Sequence, residues 1–303
     1  MRWVYVTGYE LMNGYSIQTV SQRCGVNPVT LRAWERRYGL IRPARTERGH
    51  RRYSDQDLAL IENILSWLDR GLPISQVRSV LERGEAPVTV AGPWRDAMED
   101  ARQALEGLNV RRLEQLFQRL TADYPLARVI TGFCDPLRDH LRALPGQSAS
   151  RALLDSFLRQ KLAGRVLARA PGRRERAWLV MAVGDPLPAL TQAALAERPV
   201  WCLETPVAWP SLAPWLSDPR LAGVLWMLSE QPGRRQAAPL WPRETPAVAC
   251  LCAGSALTGE LATPAWLRRE VGGYQAVTQV MEQAMDEAMM KEEGGKGATG
   301  LVS

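Results

Sequence analysis

Nine arginines fall within residues 23–52 against two acids, Glu35 and Glu47, so that window alone carries +7. The rest of the chain holds 29 basic and 30 acidic groups, and the net charge over 303 residues is +6. The positive excess is therefore confined to one short stretch. All of it is arginine, in a chain with only three lysines. The planar guanidinium fork pairs bidentately with phosphate oxygens and with the edge of guanine. A charge run is ordinarily a solvated face, but an excess this local points to an acidic polymer as partner.

Other residue types argue against catalysis. There are no paired catalytic carboxylates, no activated nucleophile and no Gly-rich phosphate loop, so the chain is not expected to be an enzyme. Five cysteines in 303 residues do not form a disulfide scaffold and fit a reduced, cytoplasmic setting. Cys250 and Cys252 form a C-x-C within an apolar strand-like run, which fits core thiols better than metal ligands. Cys24, Cys134 and Cys202 are isolated. The apolar run Ala177–Val183, as long as any in the chain, is far short of a membrane span, and the N-terminus lacks signal-peptide features. With 46% hydrophobic and 23% charged residues the composition is that of a globular chain rather than a disordered one.

The arginines must be positioned by the elements around them. Ser16 caps a first short helix, Ile17–Arg23, which ends in a turn at Gly25. Asn27 caps a second helix, with Pro28 at its first position, running to Tyr38 and stopped by Gly39. Leu31, Trp34 and Tyr38 form its buried stripe. Val29, Thr30 and Arg32 are best placed to meet base edges, and Arg36 and Arg37 lie further along for phosphate. Two extended arms around a turn at Glu47–Gly49 then carry Arg45, Arg48, His50, Arg51 and Arg52. Ser54 caps a helix over Asp55–Arg70, and Ser75 caps another over Gln76–Arg83.

The run from Asn27 to Leu58 carries, in order, Leu-Arg-Ala-Trp-Glu-Arg-Arg-Tyr-Gly-Leu at Leu31–Leu40, Gly-His-Arg-Arg-Tyr at Gly49–Tyr53, and an Asp-led apolar helix. Residues 15–84 thereby resemble the DNA-binding domain of MerR-family transcriptional regulators. The start of the second helix further resembles the branch in which this domain precedes a cobalamin-type domain, including regulators of curli and biofilm genes. The resemblance implies a winged helix-turn-helix that binds inverted repeats of double-stranded DNA as a homodimer and acts with RNA polymerase at the promoter. It places the DNA contacts on Asn27, Val29, Thr30, Arg32, Arg36, Arg37, Tyr38, Arg45, Arg48, His50, Arg51 and Arg52.

Residues 1–14 are expected to be a disordered extension, with Met12 a plausible start and residues 1–11 dispensable. Residues 85–93 are expected to be a linker. Residues 94–170 carry apolar stripes of four helices, which predicts a four-helix bundle. Residues 177–273 carry four short apolar runs, Ala177–Val183, Val200–Leu203, Val224–Leu228 and Val248–Leu251, alternating with helical sequence. That pattern predicts a parallel α/β domain resembling the Rossmann-like cobalamin-binding fold. Residues 274–303 read as one helix, through Lys291, followed by a disordered tail from Glu292.

In cobalamin proteins of that fold the loop after the first strand reads Asp-x-His-x-x-Gly, and the His ligates cobalt. Here Asp185 remains, Leu187 stands at the His and Leu190 at the Gly. His140, the only histidine outside the arginine-rich stretch, is a candidate upper ligand or an ordinary surface residue. No cofactor and no metal are therefore expected. A cobalamin-binding, light- or B12-responsive regulator, or a corrinoid-binding protein, is the alternative. Seven tryptophans between Trp178 and Trp266 suggest core packing or a surface for a regulatory partner protein.

Overall fold

The computed structural model describes residues 14–83, 94–230, 240–241, 244–258, 267–270 and 272–298. The linker expected at 85–93, nearly all of the N-terminal extension, and Trp266 lie outside them. The chain divides into two compact units, residues 1–154 and 155–303.

In the first unit, α1 (Ile17–Cys24) and α2 (Pro28–Arg36) are joined by a turn in which Gly25 takes φ 64°. The Ser16 hydroxyl accepts from the Thr19 N–H, and the Asn27 side chain accepts from the Val29 N–H, so both helix starts are capped. Helix α2 ends two residues before the expected Tyr38. Gly39 at φ 60° lets the Leu40 N–H return to the Trp34 carbonyl, closing the helix in the way a left-handed glycine permits. Strands β1 (Ala44–Arg45) and β2 (Arg51–Arg52) pair antiparallel, and a bridge between Tyr15 and Tyr53 ties the hairpin base to the start of α1.

Helix α3 (Asp55–Asp69) opens with a reciprocal capping box between Ser54 and Asp57. Helix α4 covers Ile74–Arg83, so Ser75 lies inside it and is not its cap. Burying Ile74 (3% exposed) extends the apolar stripe by one turn position. The core of this segment is Val20, Leu31, Trp34, Ile41, Tyr53, Ile61 and Ile64, all fully buried. Helices α5 (Arg95–Glu106), α6 (Val110–Asp123), α7 (Leu126–Val129), a π-helical turn (Ile130–Cys134) and α8 (Asp135–Ala143) follow, and α9 (Ser148–Ala168) spans the division between the units.

The second unit is built on a parallel five-stranded sheet of order β4-β3-β5-β6-β7. Its strands are β3 (Ala177–Val183), β4 (Val200–Leu203), β5 (Leu221–Leu228), β6 (Ala249–Ala253) and β7 (Arg268–Glu270). The four apolar runs coincide with or overlap the first four. β7 was not expected, because Arg-Arg-Glu at a sheet edge has no apolar signal. Helix α10 (Leu187–Leu195) and helix α12 (Tyr274–Ala298) cover one face, through Ala189, Ala193, Val277 and Met281. Helix α11 (Trp209–Leu216) covers the other, through Leu212. Strands β3 and β5 are buried along their whole length, as parallel strands sandwiched between helices must be. The stretch from Glu292 is helical through Ala298, which corrects the expected disorder: Tyr274–Ala298 forms one helix.

Candidate nucleic-acid interface

Helix α2 sorts its side chains into three sectors. Leu31 and Trp34 point into the core and are fully buried. Val29 is 53% exposed, and Arg32 and Arg36, one and two turns on, are exposed beside it. Positions i, i+3 and i+7 share a face, so these three make one outward stripe. Neither Arg32 nor Arg36 has an acidic partner among the described residues, and the same holds for Arg48 at the hairpin tip.

The third sector meets α6. The Thr30 hydroxyl donates to the Thr121 carbonyl at 3.2 Å, the Trp34 indole N–H to the Asp123 carbonyl at 2.9 Å, and the Arg37 guanidinium to the Asp123 carboxylate at 2.8 Å. The last carbonyls of a helix have no partner within it, so α6 ends on donors supplied by α2. Thr30 is 0% exposed. It therefore faces α6 and lies off the outward stripe, where the sequence had placed it with Val29 and Arg32. A helical threonine can serve either face, and only the tertiary partner decides. Tyr38 is half-buried, and burial, reinforced by Asp123, pushes its phenol up to about 12. The adjoining Tyr124 hydroxyl accepts from the Ile74 N–H.

The hairpin is fixed to α2 by Glu35. Its carboxylate accepts from Arg45 Nη2 at 2.9 Å and from Arg51 Nε. Arg52 donates to the Gly14 carbonyl at 3.1 Å. At the tip the Thr46 N–H bonds the His50 carbonyl, the His50 N–H bonds the Thr46 hydroxyl, and Gly49 turns at φ 79°. Arg45, Arg48 and His50 are exposed, and Arg51 and Arg52 half-buried. The first turn of α1 (Ser16–Gln18), Arg32 and Gly49–Arg52 enclose a notch of about 320 Å³. A notch lined by Arg32, Arg51 and Arg52 beside a helix start favours an anion.

Sequence reasoning missed Glu35, Thr121 and Asp123. Glu35 carried a signal, being the one acid on a helix of arginines that faces a basic hairpin. The α6 residues carried none, since their role arises from a contact about 90 positions away.

In the second unit, Leu187 and Leu190 are 2% and 3% exposed. The Asp185 carboxylate caps α10 by accepting from the Leu187 N–H at 3.0 Å. The loop is a helix start closed by apolar side chains, and it offers no imidazole where cobalt would need one. The residues present do not fit a corrinoid. His140 is exposed in the last turn of α8. Cys250 and Cys252 pack on the α11 face of the sheet, with burial pushing their thiols up to about 12 and about 11. Of the tryptophans, Trp178, Trp226 and Trp241 are core residues, and Trp215 is the exposed one among those described.

A capped helix-turn-helix with a bare arginine stripe and a basic hairpin clamped beside it is the architecture of a helix-turn-helix DNA-binding domain. Residues 15–84 match the family model described as MerR HTH family regulatory protein. The chain is 39% identical over 145 residues to the HTH-type transcriptional regulator MlrA of Escherichia coli, covering 48% of this chain and 59% of that protein. It is 34% identical over 173 residues to MlrA of Salmonella typhimurium, covering 56% and 68%. It is 35% identical over 144 residues to the HTH-type transcriptional repressor CarH of Myxococcus xanthus, covering 48% and 45%. The aligned region thus spans less than two thirds of the E. coli relative. The chain belongs to the MerR family of transcriptional regulators.

Proposed function

We propose that this protein is a sequence-specific transcriptional regulator that binds inverted-repeat promoter DNA as a homodimer, in contact with RNA polymerase. Residues 15–84 act as a winged helix-turn-helix. Val29, Arg32 and Arg36 enter the major groove, and the hairpin is the wing, with Arg45, Arg48, His50, Arg51 and Arg52 along the backbone. Arg37 and Tyr38 flank that surface, and Asn27 presents the α2 start. Thr30 serves the fold.

The observation that carries this reading is the stripe of Arg32 and Arg36, exposed and without acidic partners among the described residues, while the adjoining Arg37 is tied to Asp123. Arginines left bare beside a rigid basic hairpin are poised for a polyanion, and counterion release then supplies affinity. Two half-sites give a dimer the affinity that one domain's few contacts lack. The helices of residues 94–170 act as a four-helix bundle, and the Rossmann-like α/β unit as a sensory domain that works without cofactor. Its buried Leu187 and Leu190 support that assignment over a cobalamin-responsive one.

Footprinting of the full-length chain on fragmented genomic DNA tests the proposal. Protection of a limited set of sites sharing an inverted repeat, with two protomers per site, is expected. Uniform protection of all fragments would contradict it.

A further inference from the structure

Within the second unit a cavity of about 320 Å³ opens between the edge strand β4 and the end of α11. Leu179, Leu203 and Leu221 contribute apolar wall, and Trp201 and Trp215 contribute aromatic surface. Trp215 is 50% exposed, unlike the core tryptophans of the same face. Large half-bare indoles are costly to leave in water, and a concave, mostly apolar recess with a few fixed polar groups is the usual form of a small-molecule site.

The polar groups here are Asp218 and Arg220. Arg220 Nε and Nη2 donate to the Asp218 carboxylate at 3.0 and 2.7 Å, and the Arg220 backbone N–H adds a third bond at 2.9 Å. The guanidinium also lies 5.7 Å from the centre of the Trp201 ring. Arg220 is thereby held in one place on both sides. Its remaining nitrogen, Nη1, has no acceptor among the described residues. The arginine charge is already balanced by Asp218, whose carboxyl the guanidinium holds down to about 2. An incoming anion would meet that carboxylate, whereas an uncharged acceptor meets only the free N–H groups. Asp218, Arg220 and Leu221 precede or begin β5, so the cavity lies at the amino end of that strand. The Asp185 loop, which follows the carboxyl end of β3, contributes nothing to it.

We propose that this cavity is a binding site for an uncharged planar aromatic molecule bearing a carbonyl-type acceptor. The ring packs against Trp201 and Trp215 over the leucine wall, and the acceptor takes a hydrogen bond from Arg220 Nη1. Occupancy is a property of the second unit alone; only its effect on DNA rests on the regulatory reading above.

The test uses the full-length chain without DNA, so its outcome is independent of DNA binding. Calorimetric titration with 1-naphthamide is compared with 1-naphthoate, which keeps the ring and acceptor but adds a negative charge. Saturable one-to-one binding of the amide, tighter than the carboxylate, is expected. Trp215→Ala, at a half-exposed position the fold tolerates, is expected to weaken the amide about tenfold, the scale of one lost aromatic contact. Arg220→Met is expected to abolish the preference for amide over naphthalene. No saturable binding, tighter binding of the carboxylate, or unchanged affinity in Trp215→Ala would overturn the proposal.

Discussion

The helix-turn-helix segment and the α/β unit handle polar groups in opposite ways. Around α2, a core of Leu31, Trp34 and Tyr53 is wrapped in cations, some clamped by Glu35 and Asp123 and some left bare. Around β3 and β5, whole strands are buried, and the loop that a corrinoid would need is closed by Leu187 and Leu190. The first arrangement leaves part of its charge exposed at the surface. The second ties the polar groups at the carboxyl ends of β3 and β5 to one another and to the start of α10, through Asp185 and Ser229, and keeps a fixed ion pair, Asp218–Arg220, at the amino end of β5. The charge of the first segment faces solvent, whereas the second holds together around buried apolar side chains.

The sharpest way to break the contrast is in the two cores. Trp34→Ala should cost ~3–5 kcal/mol, as buried tryptophans do on truncation. It also removes the donor to the Asp123 carbonyl, so denaturant unfolding should show the loss in full. An unchanged midpoint would mean that Trp34 does not join α2 to the core and to α6. Leu187→Ala should cost ~2–5 kcal/mol if the leucine is structural. In the unaltered protein, adenosylcobalamin should leave both its own visible spectrum and the protein's size unchanged. A stoichiometric spectral shift would place a corrinoid where the apolar loop excludes it.

Smaller effects sharpen the account of the clamp. Asp123→Asn removes the charge facing Arg37 and keeps the carbonyl that receives Trp34. Arg37 is half-exposed, so stability should fall by no more than ~1 kcal/mol. A larger loss, read from thermal unfolding, would make the ion pair rather than the backbone contact the main joint. The thiols give the smallest signal. Cys202, Cys250 and Cys252 are pushed up to about 12, 12 and 11 by burial. A thiol whose pKa is raised stays protonated, and only the thiolate reacts. Alkylation of the folded protein at pH 8 should therefore be slow at these three and rise steeply in denaturant; rapid modification of the native chain would point to a redox role.

How much the sequence disclosed depended on the range of the interactions. Capping residues and Gly turns act within a few positions, so α1, α2 and α3 could be placed from Ser16, Asn27, Gly39 and Ser54. Apolar runs likewise marked β3 and β4 to the residue. Strand β7 was invisible because Arg268–Glu270 pairs through its backbone at an edge, where side-chain pattern has no say. Thr30 was assigned to the wrong sector because its partner, the Thr121 carbonyl, lies 91 residues away. The bare stripe of Val29, Arg32 and Arg36 followed from helical spacing alone. That the hairpin arginines are shared with Glu35 did not, since it requires the hairpin to fold back on α2.

Arg32, on this stripe, is the side chain proposed to meet a base edge. Fluorescence anisotropy of wild-type protein and Arg32→Ala, on a footprinted site and on random DNA across a salt series, tests it most directly. If Arg32 meets a base edge, the variant loses ~1–3 kcal/mol on the specific site and little on random DNA. Equal loss on both, with a salt slope flattened by about one, would make Arg32 a phosphate contact and contradict the claim.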